Sequence, residues 1–273
     1  MRTCTVRSLI GIVLLCAPSL GIGAQTTVQS APLPSKDIPR IGSTPDLSGV
    51  WNLAPSGHAI ARDFQGFRET LPEDKDRADL FTYRHSPYPM QPWAAEKFEY
   101  NKNPSNPYGR GRAELDPFTT LCAPEGVSQK WQDVYPFEII QTPKRILIVF
   151  ESNHEIRQIW TDGRQHPKDF GHNWVGHSIG RWEGDVLVVD TIGLNDLTWL
   201  DKAGHNHSDA LHLVERLQRV AANRLSLSVT FDDPKTFTMP WSSQMDYVLK
   251  PSWEIEEAVD CDYKLQGHDI PLR

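Results

Sequence analysis

The sequence predicts an all-β fold: an antiparallel up-and-down barrel or strongly curled sheet, with a long irregular N-terminal cap and one or two short helices. Three observations lead there. After Trp131, short runs rich in Val, Ile, Leu and aromatic residues recur with legible turns between them. Within them Gly176-His-Ser-Ile-Gly-Arg-Trp-Glu-Gly-Asp-Val-Leu-Val-Val-Asp-Thr191 reads as a β-hairpin. Residues 52–120, by contrast, show poor periodicity, which in a compact domain marks a functional lid or binding loop.

The chain opens with a leader. Arg2 and Arg7 precede a short apolar core, and Ile22-Gly-Ala24 is an acceptable cleavage site, so residues 1–24 read as a signal peptide and the protein as periplasmic or secreted. Cys16 invites a lipoprotein reading, but Leu15 is a poor residue before it. No later stretch approaches the ~20 apolar residues of a membrane-spanning helix. Losing the leader, which carries two arginines and no acid, takes the formal charge from −7 to −9. With no basic run anywhere, nucleic acid and anionic membrane surfaces are poor partners.

Two cysteines survive cleavage, Cys122 and Cys261. In an oxidising compartment they either pair, tying the segment before the first long strand to the end of the sheet, or stay as two buried thiols. Residues 25–46, with Pro32, Pro34, Pro39 and Pro45, read as a linker, and 47–273 as one domain. Its cap spans 52–120 and its barrel core 131–260. Pro92 at a first-turn position, followed by Trp93, Phe98 and Tyr100, predicts a short helix within the cap. Nine tryptophans and a 10% aromatic share imply a large core or an aromatic-lined cavity.

Strands are expected at 137–141, 145–151, 154–160, 177–182, 186–191, 211–219, 225–231, 237–248 and 253–259. Residues 161–175 and 193–209 interrupt the meander on either side of the hairpin, so both loops should emerge at the same end of it. A two-residue turn at Glu183-Gly184 would put His177 opposite Asp190. A longer turn closed by Gly184 would change that register.

Leu47-Ser-Gly-Val-Trp51 is similar to the start of a lipocalin-like barrel, where the Trp closes the floor; Trp51 is also explained as a plain core anchor. The hairpin, with Thr198-Trp-Leu-Asp201, His207-Ser-Asp-x-Leu-His212, Glu215-Arg216, the early Leu-Ser-Gly-x-Trp, Cys122-Ala-Pro124 and Phe150-Glu-x-Asn-His-x-x-Arg-Gln-Ile159, resembles a family of exported bacterial proteins of unknown function. The resemblance covers most of residues 46–261 and implies no activity. Asn206, where most members carry Pro, separates His205 from His207.

Candidate chemistry gathers near the loops. His177 and Asp190 form either an oriented base, the carboxylate fixing the imidazole tautomer, or a hydrogen bond sealing the hairpin end. Glu215 shares its strand face with Leu211, Leu213 and Leu217 and so projects inward, as an acid–base group or in an ion pair with Arg157 or Arg181. His207 and Asp209 should approach the same opening from the second loop. Trp199, Asn195, Arg181, Arg157 and Glu151 are candidate ligand-binding residues. His172, His205 and His207 are candidate metal ligands, although Ser208 and Asp209 also suit a plain turn.

There is no Gly-x-Ser-x-Gly elbow, phosphate-cradling loop or dinucleotide fingerprint, and no cofactor is called for. Two functions follow. One is an acid–base lyase, isomerase, hydratase or hydrolase acting on a hydrophobic or aromatic small molecule. The other is a non-catalytic carrier of such a molecule. The cluster of titratable groups favours the enzyme.

Overall fold

The computed structural model describes residues 37–54, 88–105, 110–133 and 135–256. The expected leader, most of the expected linker, residues 55–87 of the expected cap and Cys261 lie outside them. A two-residue ladder of β1 (Arg40–Ile41) and β2 (Thr44–Pro45) gives the end of the expected linker a fixed shape. It is followed by β3 (Gly49–Leu53), α1 (Pro92–Asn101), α2 (Pro117–Leu121) and α3 (Gly126–Lys130).

The remaining strands are β4 (Phe137–Gln141), β5 (Arg145–Phe150), β6 (Ile156–Trp160), β7 (His177–Glu183), β8 (Val186–Ile192), β9 (His212–Ala221), β10 (Arg224–Asp232) and β11 (Trp241–Leu249). Together β3 to β11 form a closed barrel in sequence order, with β11 returning to β3. Closure leaves no free sheet edge to template aggregation. All pairs are antiparallel but one. β6 and β7 run parallel, over Ile159–Ser178 and Trp160–Ile179, because residues 161–175 carry the chain back along the barrel before β7 begins. That segment was expected only to interrupt a meander; it is the crossover a parallel pair requires.

Two of the expected strands depart from the structure by more than a residue or two. Pro240 denies a ladder donor, so β11 starts at Trp241, not 237, and Asp233 instead caps the turn through Thr236 and Phe237. No strand occurs at 251–256: Pro251 cannot donate, and β3 already occupies the edge of β11.

Alternation along each strand buries one parity. Leu187, Val189, Leu213, Leu217, Leu227 and Val229 are inside and essentially without exposure, each contributing roughly 1.5–3 kcal/mol. At one end, Trp51 lies under the Arg219 guanidinium at 5.3 Å, with its indole donating to Leu47 O at 2.9 Å. Gly49, at φ +127, makes the bend before Trp51, and a Cβ there would meet Leu249 at 2.8 Å. The cap covers the other end. Tyr88 stacks on Trp241 at 4.2 Å, Phe98 of α1 stacks on His205 at 3.6 Å, and Trp131 after α3 drops into the barrel mouth.

Candidate acid–base site on the outer wall

The β7–β8 turn consists of Gly184 and Asp185, with Gly184 at φ +63, and Glu183 pairs with Val186. The turn thus sits one residue later than expected and the pairing shifts by two. His177 faces Ile192, and Asp190 faces Ile179. A shift of two preserves the face, so both residues stay on one side of the sheet, in diagonal rather than direct opposition. Among the described residues no hydrogen bond joins them directly. That expectation is corrected by what stands between them.

His166, delivered by the crossover, bridges the pair. Its Nδ1 lies 2.8 Å from His177 Nδ1 and its Nε2 lies 2.9 Å from Asp190 Oδ1. The other carboxylate oxygen, Oδ2, is 3.1 Å from Nε2 of His212, at the start of β9. A carboxylate only accepts, so neutral His166 carries its proton on Nε2. Its Nδ1 then accepts, His177 donates from Nδ1, and the Nε2 lone pair of His177 is left available. The result is an Asp–His–His relay with a third imidazole on the far carboxylate oxygen.

Electrostatics push the two terminal imidazoles apart. Burial, then the charges of His166 and Arg164, holds His177 below the ordinary histidine range. Its bond to Asp190 lifts His212 above that range, and His212 in turn lowers the Asp190 carboxyl. Water still reaches the site: exposure is 17% for His166, 28% for Asp190 and 36% for His212. Phe170 packs edge-on against His177 at 5.2 Å.

This face is the outside of the barrel. Ser178, Val189, Thr191 and Leu213, of opposite parity, point inward. Glu215 also points inward, as expected, and the barrel wall separates it from His177 and Asp190. Glu215 is fully buried in a bidentate pair with Arg157, one arm of which is Nη1–Oε1 at 2.7 Å, and it also accepts from the Trp131 indole. Ser178 and Thr191 take further Arg157 donors at 3.1 and 2.9 Å. A carboxylate with both oxygens committed is built as a structural ion pair, with Arg157, not Arg181, as its partner. Arg181 instead pairs with Glu183 in the open at 2.8 Å.

The second loop also disperses its candidates. His207 is buried, donating from Nδ1 to Ser208 O at 3.1 Å and accepting at Nε2 from Thr198 Oγ1 at 2.7 Å; burial keeps its pKa low. Asp209 turns to Lys235 at 2.6 Å. His205 pairs with Asp201 at 2.8 Å, and Asp201 also accepts from Tyr88 at 2.9 Å. His172 is exposed, and no group of three or more His, Cys, Asp or Glu among the described residues is placed to hold a metal ion. Trp199 is buried beneath Gly111, Asn195 caps Leu197 N, and Glu151 accepts from Glu256 N at 3.1 Å.

Three groups here were not singled out from sequence. His212 shared the parity of Val214, but nothing identified Asp190 as its partner. His166 gave no signal, since only the crossover's path brings it to the wall. The third group lies under the cap. Lys130 is fully buried between Glu125 at 2.9 Å, Glu155 at 3.4 Å and Asp133 at 3.8 Å, and Lys202 reaches Glu125 and Asp133 at 3.2 Å each.

Fold and site together define a closed nine-stranded β-barrel protein with a histidine–aspartate relay on its outer wall. The chain matches no protein-family model, no curated protein and no solved structure.

Proposed function

We propose that this protein is an exported acid–base enzyme, of the lyase, isomerase, hydratase or hydrolase type, acting on a hydrophobic or aromatic small molecule at the outer wall. His177 is the base, through Nε2. His212 is the acid. Asp190 and His166 are positioning residues that fix tautomer and orientation. The observation that carries this reading is one carboxylate holding two imidazole systems whose pKa values move in opposite directions. The leader pattern supports export. The carrier reading is less well supported, because Trp131, Arg157, Tyr247 and Phe231 occupy the barrel interior that such a ligand would need.

The reaction type can be approached without knowing the substrate. Incubation in heavy water with a panel of aromatic and carbonyl-containing compounds should place solvent deuterium in at least one of them, or release a product. His177→Gln should abolish this and Asp190→Asn should slow it sharply, both leaving the fold intact. No turnover across the panel, or equal turnover in both variants, would remove the enzyme reading.

A further inference from the structure

The crossover that supplies His166 also carries a fixed cation. The Arg164 guanidinium lies over the Trp160 ring, 3.5 Å from its centroid. Asp162 clamps it from one side, taking Nε at 2.9 Å and Nη2 at 2.6 Å. Among the described residues Nη1 has no hydrogen-bond partner, and the side chain is 39% exposed. A guanidinium packed and clamped in this way has already lost its rotamer freedom, and it presents a pair of N–H donors toward solvent. Two strand spacings, about 10 Å, separate the backbone of Trp160 from that of Asp190, with Ile179 between them. Arg164 is near enough to His177 for its charge to be felt there.

Resting on the acid–base reading, we propose that the outer-wall site takes a planar, single-ring carboxylate, with the carboxylate on Arg164 Nη1 and the reacting end at His177. A single ring bearing a carboxylate is on the scale of that backbone separation. Trp160 and Phe170 supply the apolar contacts, and the charged Nη1 donor holds a carboxylate more strongly than a neutral oxygen. Arg164 is thus a specificity residue and takes no part in proton transfer.

Benzoate and its neutral analogue benzamide are suitable probes, read by histidine-ring NMR of the mature protein. Benzoate should shift the His177 ring signals and raise the midpoint of its titration, because an added anion offsets Arg164. Benzamide should do neither. Arg164→Gln should weaken the benzoate response about tenfold, as expected for loss of one charge-assisted contact. Equal responses to the two probes, no response to either, or an undiminished response in Arg164→Gln would overturn the proposal. The same spectra test the underlying reading separately. If benzoate acts through Arg164 while His177 and His212 titrate together, the carboxylate site stands and the acid–base assignment falls.

Discussion

His166 and His177 meet through their Nδ1 atoms, 2.8 Å apart. Two imidazole nitrogens in contact must share one proton between them, so the protonation of either ring controls the other. Because His166 Nε2 is committed to Asp190, that shared proton belongs to His177, and only His177 Nε2 is left to act on a substrate. A proton added at His177 Nε2 leaves that bond in place; the low pKa of His177 comes from its burial, then from the charges of His166 and Arg164.

A bell-shaped pH profile follows. His177 must be neutral to act as a base, so activity rises with pH through its lowered pKa. His212 must be protonated to act as an acid, so activity falls through its raised pKa. The optimum should therefore straddle the ordinary histidine value of about 6.5. Asp190→Asn should pull the upper limb down toward that value, because the bond to the carboxylate is the main cause of the His212 shift. The stability contribution of His212 has the matching sign: full below its unfolded pKa and lost as pH rises through the folded one. A rate profile whose upper limb is unmoved in Asp190→Asn would show that His212 is not the acid.

Glu215 leads to a different expectation. Glu215→Gln leaves a buried guanidinium without its counter-charge and should destabilise the barrel by roughly 3–5 kcal/mol. Proton transfer at the outer wall, measured on the folded fraction, should be unchanged. Replacing both partners, as Arg157→Met with Glu215→Leu, should recover much of the stability, since apolar groups of similar volume often replace buried pairs without loss. Chemical denaturation of the two variants beside the parent protein decides this. A double variant no better than the single one would mean that Ser178 and Thr191 need the guanidinium as much as Glu215 does.

Much of the fold was legible in the sequence because its signal is local. The Val186–Val189 run, the inward parity of Glu215 among leucines, and Pro92 at the start of α1 each follow from a few adjacent residues. The site depended on longer-range facts. Alternation gives parity, but only the register of β8 on β9, Asp190 against Val214, shows that Asp190 lies outside when Glu215 lies inside. A one-residue difference in the turn decided which residues oppose one another across β7 and β8. No local pattern could bring His166 to Asp190, because the crossover does so in space. The Lys130 cluster drew on α3, the β5–β6 turn and the second loop at once, and so left no motif.

That cluster sets three carboxylates against two lysines, and the acids should not behave alike. Burial raises the Glu125 carboxyl, whereas for Asp133 burial is outweighed by Lys202 and Lys130, which lower it. A raised folded-state pKa favours folding at low pH, and that contribution is lost as pH rises through it. A lowered one contributes above the unfolded pKa and is lost as pH falls through it. Glu125→Gln should therefore leave the neutral-pH melting temperature unchanged or raise it. Asp133→Asn should cost roughly 3 kcal/mol by removing the carboxylate that the two lysines hold ionised. Equal losses in the two variants would contradict this division of charge.

The last expectation concerns the covalent tie across the fold. Cys122 caps α2 in the left-handed conformation, at φ 50, on the cap side of the molecule; Cys261 lies outside the described residues. We propose that the two are bridged in the exported protein. With the leader cleaved and the protein exported as proposed, they would be the only cysteines left, in an oxidising compartment. The bridge would close a long loop containing every strand from β4 to β11. Closing such a loop restricts the unfolded chain and should contribute ~3–5 kcal/mol, less any strain at the left-handed cap. Reduction, or Cys261→Ser, should lower the urea midpoint and also loosen α2, exposing amides near Phe118 to exchange before the barrel strands open. Mass spectrometry of periplasmic protein that found both thiols free would end the idea. A bridge whose removal left α2 as protected as before would show that the helix is held by Asp116, whose side chain accepts from Phe118 N at 3.1 Å, and not by the disulfide.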